Sequence, residues 1–235
     1  MTTPETRSSQ LLAEADAFVG RTIAACRRDA GTGQAIRSAL GHTPAEAVRA
    51  HRYVAARLPD EPAADLEWAH YTVAALIALY DPRAKPAKDL PSDESDDDEA
   101  AQDTGQGEHE KGKRRKQPLS LSRRLREGNL GAVLGALDAP DTSGEDPEGR
   151  SAPRLQSLFR EDLAGLHTAL PGVMRLAGDA PRLPDWGVLL HDIADWERDK
   201  RREAAVLRWS SAYYKTLTTG AANSDADAEH ESEKN

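Results

Sequence analysis

The sequence of 235 residues contains one cysteine, Cys26, few aromatic residues and no long apolar run. A single cysteine excludes an intramolecular disulfide and a four-cysteine zinc site. No apolar run approaches the length needed to cross a membrane, and the N-terminal residues MTTPETRSSQ lack the apolar core of a signal peptide. We therefore expect a cytoplasmic protein that does not associate with membranes.

Acidic residues are concentrated in two segments, which explains the net charge of −9. Residues 86–110 hold ten acidic residues and one lysine, and residues 220–235 hold five acidic residues and one lysine. The rest of the chain has 29 basic and 25 acidic residues. Charged segments without an apolar face do not bury enough surface to fold. We predict a mildly basic folded body with disordered acidic segments.

The composition favours helices, because alanine and leucine dominate while valine and isoleucine are sparse. Apolar residues recur at three- and four-residue spacing, and the alternation typical of strands is absent from the sequence. We predict an all-α protein with two small helical bundles joined by a disordered, charged linker. The predicted segments are an N-terminal bundle (1–84), the linker (85–117), a C-terminal bundle (118–219) and a disordered acidic tail (220–235).

Glycine and proline mark the predicted helix boundaries in the N-terminal bundle. The stretch RRDAGTG (27–33) contains two glycines and predicts a break between helices. Thr43 is a predicted N-cap, with Pro44 in the first turn of the helix that follows.

His191 and Asp192 are adjacent in the sequence, as in the His-Asp pair of metal-dependent phosphohydrolases. Such a site needs further histidines and a carboxylate, and the sequence has no second His-Asp pair. A helix capped by Asp185 explains the segment better, with both residues on its flanks. Its predicted buried stripe consists of Leu189, Leu190, Ile193 and Trp196. We expect no catalytic residue, no metal and no cofactor.

Basic residues recur along the predicted last helix, where Arg201, Arg208 and Lys215 are seven positions apart with Ala205 and Ala212 between them. This spacing gives a cationic stripe about 20 Å long at a rise of 1.5 Å per residue. The apolar residues of the helix occupy a different face and are Val206, Trp209, Tyr213 and Leu217. Such a stripe can follow the phosphates of a nucleic acid. The alternative is a solvated face partly neutralised by neighbouring carboxylates.

A second basic cluster contains Arg123, Arg124 and Arg126. It follows the basic segment KGKRRK at 111–116. Arginine binds phosphate through a planar fork, so both clusters favour backbone binding without readout of base sequence.

Four segments in the same order resemble the CasB family, the small subunit of the type I-E CRISPR Cascade complex. They are AIRSALG with AEAVRAHRYVAARLP, LSLSRRL, RLQSLFREDLAGLHTAL, and PDWGVLLHDIADWERDKRREAAVLRWSSAYY. Ser122 replaces a glycine of the family pattern in the second segment. The inserts at 86–110 and 138–150 and the acidic tail also depart from the compact family pattern.

The resemblance implies a non-enzymatic all-α subunit that forms a dimer in the complex. It implies contacts with the backbone and large subunits of Cascade, with the CRISPR RNA, and with target DNA including the displaced strand. The basic residues that it implies at the surface are Arg37, Arg52, Arg123, Arg154, Arg160, Arg175, Arg198 and Arg201. Helix geometry alone adds Arg124, Arg202, Arg208 and Lys215.

Two other functions remain open at the level of the sequence. One is a metal-dependent phosphohydrolase that uses His191 and Asp192, and the other is a helical adaptor that binds only protein. Guide and target preference is not encoded in a subunit that contacts only the nucleic-acid backbone.

Overall fold

The computed structural model describes residues 4–58, 60–86, 120–139, 149–178 and 180–232. In these residues it contains ten α-helices and no strand, which confirms the all-α prediction. The helices are α1 (Pro4–Arg28), α2 (Ala30–Arg37), α3 (Val48–Val54), α4 (Ala64–Tyr80), α5 (Leu121–Glu127), α6 (Leu130–Asp138), α7 (Ala152–Arg160), α8 (Leu163–Ala177), α9 (Trp186–Ile193) and α10 (Asp199–Ser232). The predicted disordered linker at 85–117 lies outside the described residues except for its first two positions.

Local capping sets the helix boundaries in the N-terminal half, and two of them differ from the prediction. Asp29 alone separates α1 from α2, because its carboxylate accepts hydrogen bonds from the backbone amides of Gly31 and Thr32. The glycine-containing stretch is therefore helical from Ala30. Thr43 begins a turn bonded to Glu46, and α3 starts only at Val48.

Helix α9 lies at the centre of the fold. It packs against α1 and α4 from the N-terminal half of the chain and against α10 from the C-terminal half. Its predicted stripe of Leu189, Leu190, Ile193 and Trp196 is buried, and Asp185 caps its N-terminus as expected. One continuous apolar core therefore joins the two halves.

Close contact between α6 and α10 fixes the longest helix. A Cβ atom added at Gly131 would lie 1.9 Å from the carbonyl oxygen of Trp209, and one at Gly135 would lie 2.4 Å from that of Tyr213. Only glycine permits the two backbones to approach this closely. In the structure α10 continues to Ser232, which differs from the prediction of a disordered tail from residue 220. Its alanine-rich sequence extends a helix that is already anchored.

Two buried carboxylates tie distant segments together. Asp138 accepts hydrogen bonds from the amide and hydroxyl of Ser151, at 2.8 and 3.0 Å, and from the Tyr213 hydroxyl at 2.7 Å. Asp81, which follows α4, accepts one from Nε1 of Trp186 at 2.8 Å. Buried polar groups of this kind need partners, so each contact specifies one arrangement of the helices. Among the described helices, none is long and apolar enough to span a membrane.

Candidate nucleic-acid interface

A groove with a volume of about 440 Å³ runs along one side of α10. Its α10 wall extends from Leu207 to Thr219, about 18 Å at 1.5 Å per residue. The opposite wall comes from Arg126 and Glu127 of α5 and from Arg182 in the loop before α9. The groove therefore draws on three separate stretches of the sequence.

Positive charge dominates this groove. Its basic lining residues are Arg126, Arg182, Arg208 and Lys215, and Glu127 is the acidic lining residue in the described part of the chain. Glu127 is engaged by Arg123 at 2.7 Å. Arg126, Arg182 and Lys215 are exposed and have no ion-pair partner among the residues that the structure describes. Their positive charge is therefore open to an anion in solution.

Arg208 is held at the groove by Asp192, which is 3% exposed. The carboxylate accepts hydrogen bonds from Arg208 Nη2 at 2.5 Å and from Trp209 Nε1 at 2.7 Å, and His191 Nδ1 lies 3.2 Å from it. The predicted position of Asp192 on a flank is thus wrong. It is buried because α10 covers that side of α9 with Arg208 and Trp209.

These contacts count against the metal-dependent phosphohydrolase, because the Asp192 carboxylate already accepts hydrogen bonds from Arg208 and Trp209 of α10. Among the described residues, no group of three or more His, Cys, Asp or Glu side chains could hold a metal ion. His191 lies against Asp192 and is largely buried.

The predicted stripe along α10 is interrupted in the structure. Ala205 and Ala212, expected between the basic residues of that stripe, are 0% and 8% exposed. The side of α10 that they occupy is therefore packed. Arg201 Nε lies 3.8 Å from Asp195, outside the groove, whereas Arg208 and Lys215 line it.

The beginning of α10 lies against the end of α7. Arg202 donates to the Phe159 carbonyl at 2.9 Å and lies over the Trp196 ring at 5.4 Å. Arg198 pairs with Asp195 at 3.0 Å. Both cations therefore make contacts within the protein, and Arg198 remains half exposed.

Arg124 clamps α5 to the rest of the fold. Its guanidinium donates two hydrogen bonds to Asp16 of α1, each at 2.6 Å, and two to Asp185, at 2.7 and 2.9 Å. These bonds raise the pKa of Arg124 above its usual value. Arg124 thus has an internal role in this structure, and it fixes the helix that carries Arg123 and Arg126.

The other predicted residues are distributed over different helices. Arg37 donates to the Ala78 carbonyl at 2.9 Å, and Arg52 lies over the Tyr53 ring at 4.4 Å. Arg154, Arg160 and Arg175 are exposed, with no ion-pair partner in the described residues. None of these five lines the groove.

Arg182 and Arg126 line the groove but were not among the predicted binding residues. Arg182 lies in the loop between α8 and α9, so no helical periodicity marks it. Arg126 shares its cluster with Arg123 and Arg124, and sequence spacing does not show which of the three faces α10.

The fold and the groove define an all-helical protein with an exposed cationic surface that internal carboxylates help to position. A family model for CRISPR-associated protein Cse2 matches residues 34–214. The chain belongs to the Cse2 family, the small subunit of type I-E Cascade, and the resemblance to CasB is confirmed. This is a family of structural subunits.

Two solved structures have chains with a similar fold. A chain of a "CRISPR RNA-guided surveillance complex" is 25% identical, with a TM-score of 0.59, over 91% of this chain and 99% of that one. A chain of a "CRISPR RNA-guided surveillance complex, pre-nicking" is 26% identical, with a TM-score of 0.60, over 91% of this chain and 98% of that one. Among curated proteins, none matches this sequence.

Proposed function

We propose that this chain is the non-catalytic small subunit of a CRISPR RNA-guided Cascade complex and that its α10 groove binds nucleic-acid backbone. Its partners are then the Cascade backbone and large subunits, a second copy of itself, the CRISPR RNA and the target DNA. The observation that carries the proposal is the set of three exposed cations without ion-pair partners, Arg126, Arg182 and Lys215, in one groove of the described structure.

The chemistry of the groove suits a phosphate backbone. Arginine forks bind phosphate oxygens in two places at once, and lysine adds a point charge. Arg208 contributes a fourth cation, a guanidinium that Asp192 holds in a fixed orientation. A side chain that is already ordered loses less conformational entropy when it binds.

An apolar side chain in the groove favours a single strand over a duplex. Leu207 is 68% exposed and lines the same groove as the cations. The bases of an unpaired strand are accessible to such a side chain, whereas those of a duplex are stacked inside the helix. We therefore assign the displaced DNA strand to this groove and the guide–target hybrid to neighbouring basic surfaces.

Holding the displaced strand stabilises an R-loop, the structure in which guide RNA pairs with one DNA strand. An R-loop exchanges a DNA duplex for an RNA–DNA hybrid of similar stability, so modest contacts with the protein shift the balance. A displaced strand bound in the groove is not free to re-anneal. No bond is made or broken in this role.

The test is a triple variant, Arg126→Ala, Arg182→Ala and Lys215→Ala, measured in the assembled complex. We expect a shorter R-loop lifetime. The slope of the logarithm of the strand-binding constant against the logarithm of the salt concentration should become smaller in magnitude by about 2, since each of the three phosphate contacts to a single strand contributes about 0.7. The matched control carries Arg27→Ala, Arg49→Ala and Lys200→Ala, three exposed cations outside the groove.

Two results would contradict the proposal. Equal R-loop lifetimes for the groove variant and the control would show that the groove does not hold the strand. Failure of the groove variant alone to join the complex in the absence of target DNA would indicate a protein-binding surface, as in the adaptor alternative.

A further inference from the structure

A second cavity lies between α1, α4 and α9, with a volume of about 580 Å³. In the described residues, it shares no lining residue with the α10 groove. Its inner wall includes Phe18 and Leu190, each 1% exposed, and the imidazole of His70. Ligand sites in proteins commonly have volumes of about 300–1,000 Å³ and mostly apolar walls. The size and lining of this cavity are those of a small-molecule site.

His70 gives this apolar cavity one oriented polar group. Its Nδ1 donates a hydrogen bond to the Leu66 carbonyl at 2.7 Å, and its ring meets Phe18 edge to face with centroids 4.5 Å apart. Burial lowers the pKa of His70, so the ring is neutral at pH 7. Because Nδ1 carries the hydrogen, Nε2 is an acceptor.

Arginines without carboxylate partners surround the opening. Arg7 and Arg21 are exposed and have no ion-pair partner among the described residues. Arg57 donates to the Tyr53 carbonyl, and its pKa is lowered by burial and then by the charges of Arg21 and Arg28. Like charges held together in a partly buried site repel each other, and an anion bound between them removes that repulsion.

Neither carboxylate that lines the cavity, Glu14 or Asp195, forms an ion pair with Arg7, Arg21 or Arg57 in the described residues. Asp195 is paired with Arg198 at 3.0 Å, and Glu14 accepts a hydrogen bond from Gln10 at 3.0 Å. The ligand that suits the cavity therefore combines a flat apolar body carrying a hydrogen-bond donor with an anionic group at one end.

We propose that this cavity binds one nucleotide, with the base against His70 and the phosphate between Arg21 and Arg57. Phe18 supports the His70 ring from within the core, the imidazole offers a planar surface to a base, and guanidinium forks suit the phosphate oxygens. A free mononucleotide and an unpaired nucleotide of a bound strand offer the same chemistry. The site does not depend on the α10 groove and goes beyond the function proposed for it.

The experiment titrates the purified full chain with adenosine 5′-monophosphate by calorimetry. Adenosine, inorganic phosphate and a short single-stranded oligonucleotide are titrated in parallel. We expect the nucleotide to bind at least about tenfold more tightly than adenosine, because charge-assisted hydrogen bonds to phosphate are among the stronger polar contacts. Arg21→Gln is expected to remove most of this difference, whereas Arg27→Gln on the same helix, outside the cavity, leaves it unchanged.

A second variant, Ala194→Phe, fills the cavity from the turn after α9 and is expected to abolish binding, with thermal unfolding used to verify the fold. Binding of the oligonucleotide but not of the mononucleotide, if sensitive to Arg21→Gln, supports the site and identifies a strand as its source. Three results would overturn the proposal: no binding of either probe, equal affinity for adenosine and the nucleotide, or equal effects of Arg21→Gln and Arg27→Gln. The α10 groove variant should leave mononucleotide binding unchanged, which separates a failure here from a failure of the proposed function.

Discussion

Protonation of His167 should destabilise the fold at mildly acidic pH. The side chain is 2% exposed on α8, and neither ring nitrogen has a hydrogen-bond partner among the described residues. Its ring stacks on Trp68 of α4, with centroids 5.1 Å apart and an angle of 12° between the planes. Burial lowers the pKa of His167 to about 3. The folded protein therefore holds this histidine in its neutral form at any pH above about 3.

The size of the effect follows from the difference between the folded and unfolded pKa values. Above the unfolded pKa of about 6.5, the ring is neutral in both states and pH has no effect through this group. Below it, the unfolded chain binds a proton that the folded protein does not, so stability falls as the pH falls from about 6.5 towards 3. At pH 5 the loss of stability through this group amounts to about 2 kcal/mol, which is a sizeable part of a typical free energy of unfolding of about 5–15 kcal/mol.

The assay is urea unfolding of the wild type and of His167→Phe at pH 7.5 and pH 5.0, followed by tryptophan fluorescence. Each protein is compared with itself at the two pH values, so any packing cost of phenylalanine cancels. The wild type should lose about 2 kcal/mol more than the variant between these pH values. Burial also lowers the pKa of His70, which leaves a residual pH dependence of the same sign in both proteins. Equal losses in the two proteins would refute the reasoning.

Three further predictions, two of them with a control substitution, test the packing that positions the groove, each by urea unfolding. Gly131→Ala should lower the free energy of unfolding by about 1–3 kcal/mol or more, because the added methyl group forces α6 away from α10. At the control position Gly172, an added Cβ would meet no described atom within 4 Å apart from its chain neighbours and its own helix backbone, so Gly172→Ala should raise the free energy of unfolding by about 0.5–1 kcal/mol. The same sign for both substitutions would contradict the packing. Asp192→Ala should lower the free energy of unfolding by about 3–5 kcal/mol, because it leaves the Arg208 guanidinium and the Trp209 indole N–H without their buried acceptor. A loss below about 1 kcal/mol would show that this carboxylate does not hold α10 against α9. Arg124→Met should lower the free energy of unfolding by about 1–3 kcal/mol, because Arg124 joins α5 to Asp16 and Asp185. The control Arg123→Met should lower it by less than about 1 kcal/mol, because Arg123 pairs with Glu127 on its own helix. Equal losses would argue against the clamp.

The sequence predicted well those features that depend on local spacing. The α9 stripe and its cap at Asp185 required only helical periodicity and a carboxylate before the first turn, and both are present in the structure. Thr43 shows the limit of such signals. Its bonds to Glu46 stabilise a turn, and the α-helix begins five residues after the predicted cap.

The groove was only partly predictable, because its walls come from segments distant in the sequence. Lys215 and Arg208 followed from seven-residue spacing along α10, but Arg182 belongs to a loop that only the folded chain brings close. The burial of Asp192 depends on which face α9 presents to α10. No pattern local to α9 specifies that choice, so the same spacing was compatible with a solvated flank.

The hydrogen bonds of Asp138 to Ser151 and Tyr213 have a practical consequence for engineering the protein. They join the end of α6 directly to Ser151, just before α7, and to Tyr213 of α10. We expect the fold to tolerate a reporter peptide inserted between residues 140 and 148, because the bonds to Asp138 hold the flanking helices together; such a peptide would label the protein outside the groove.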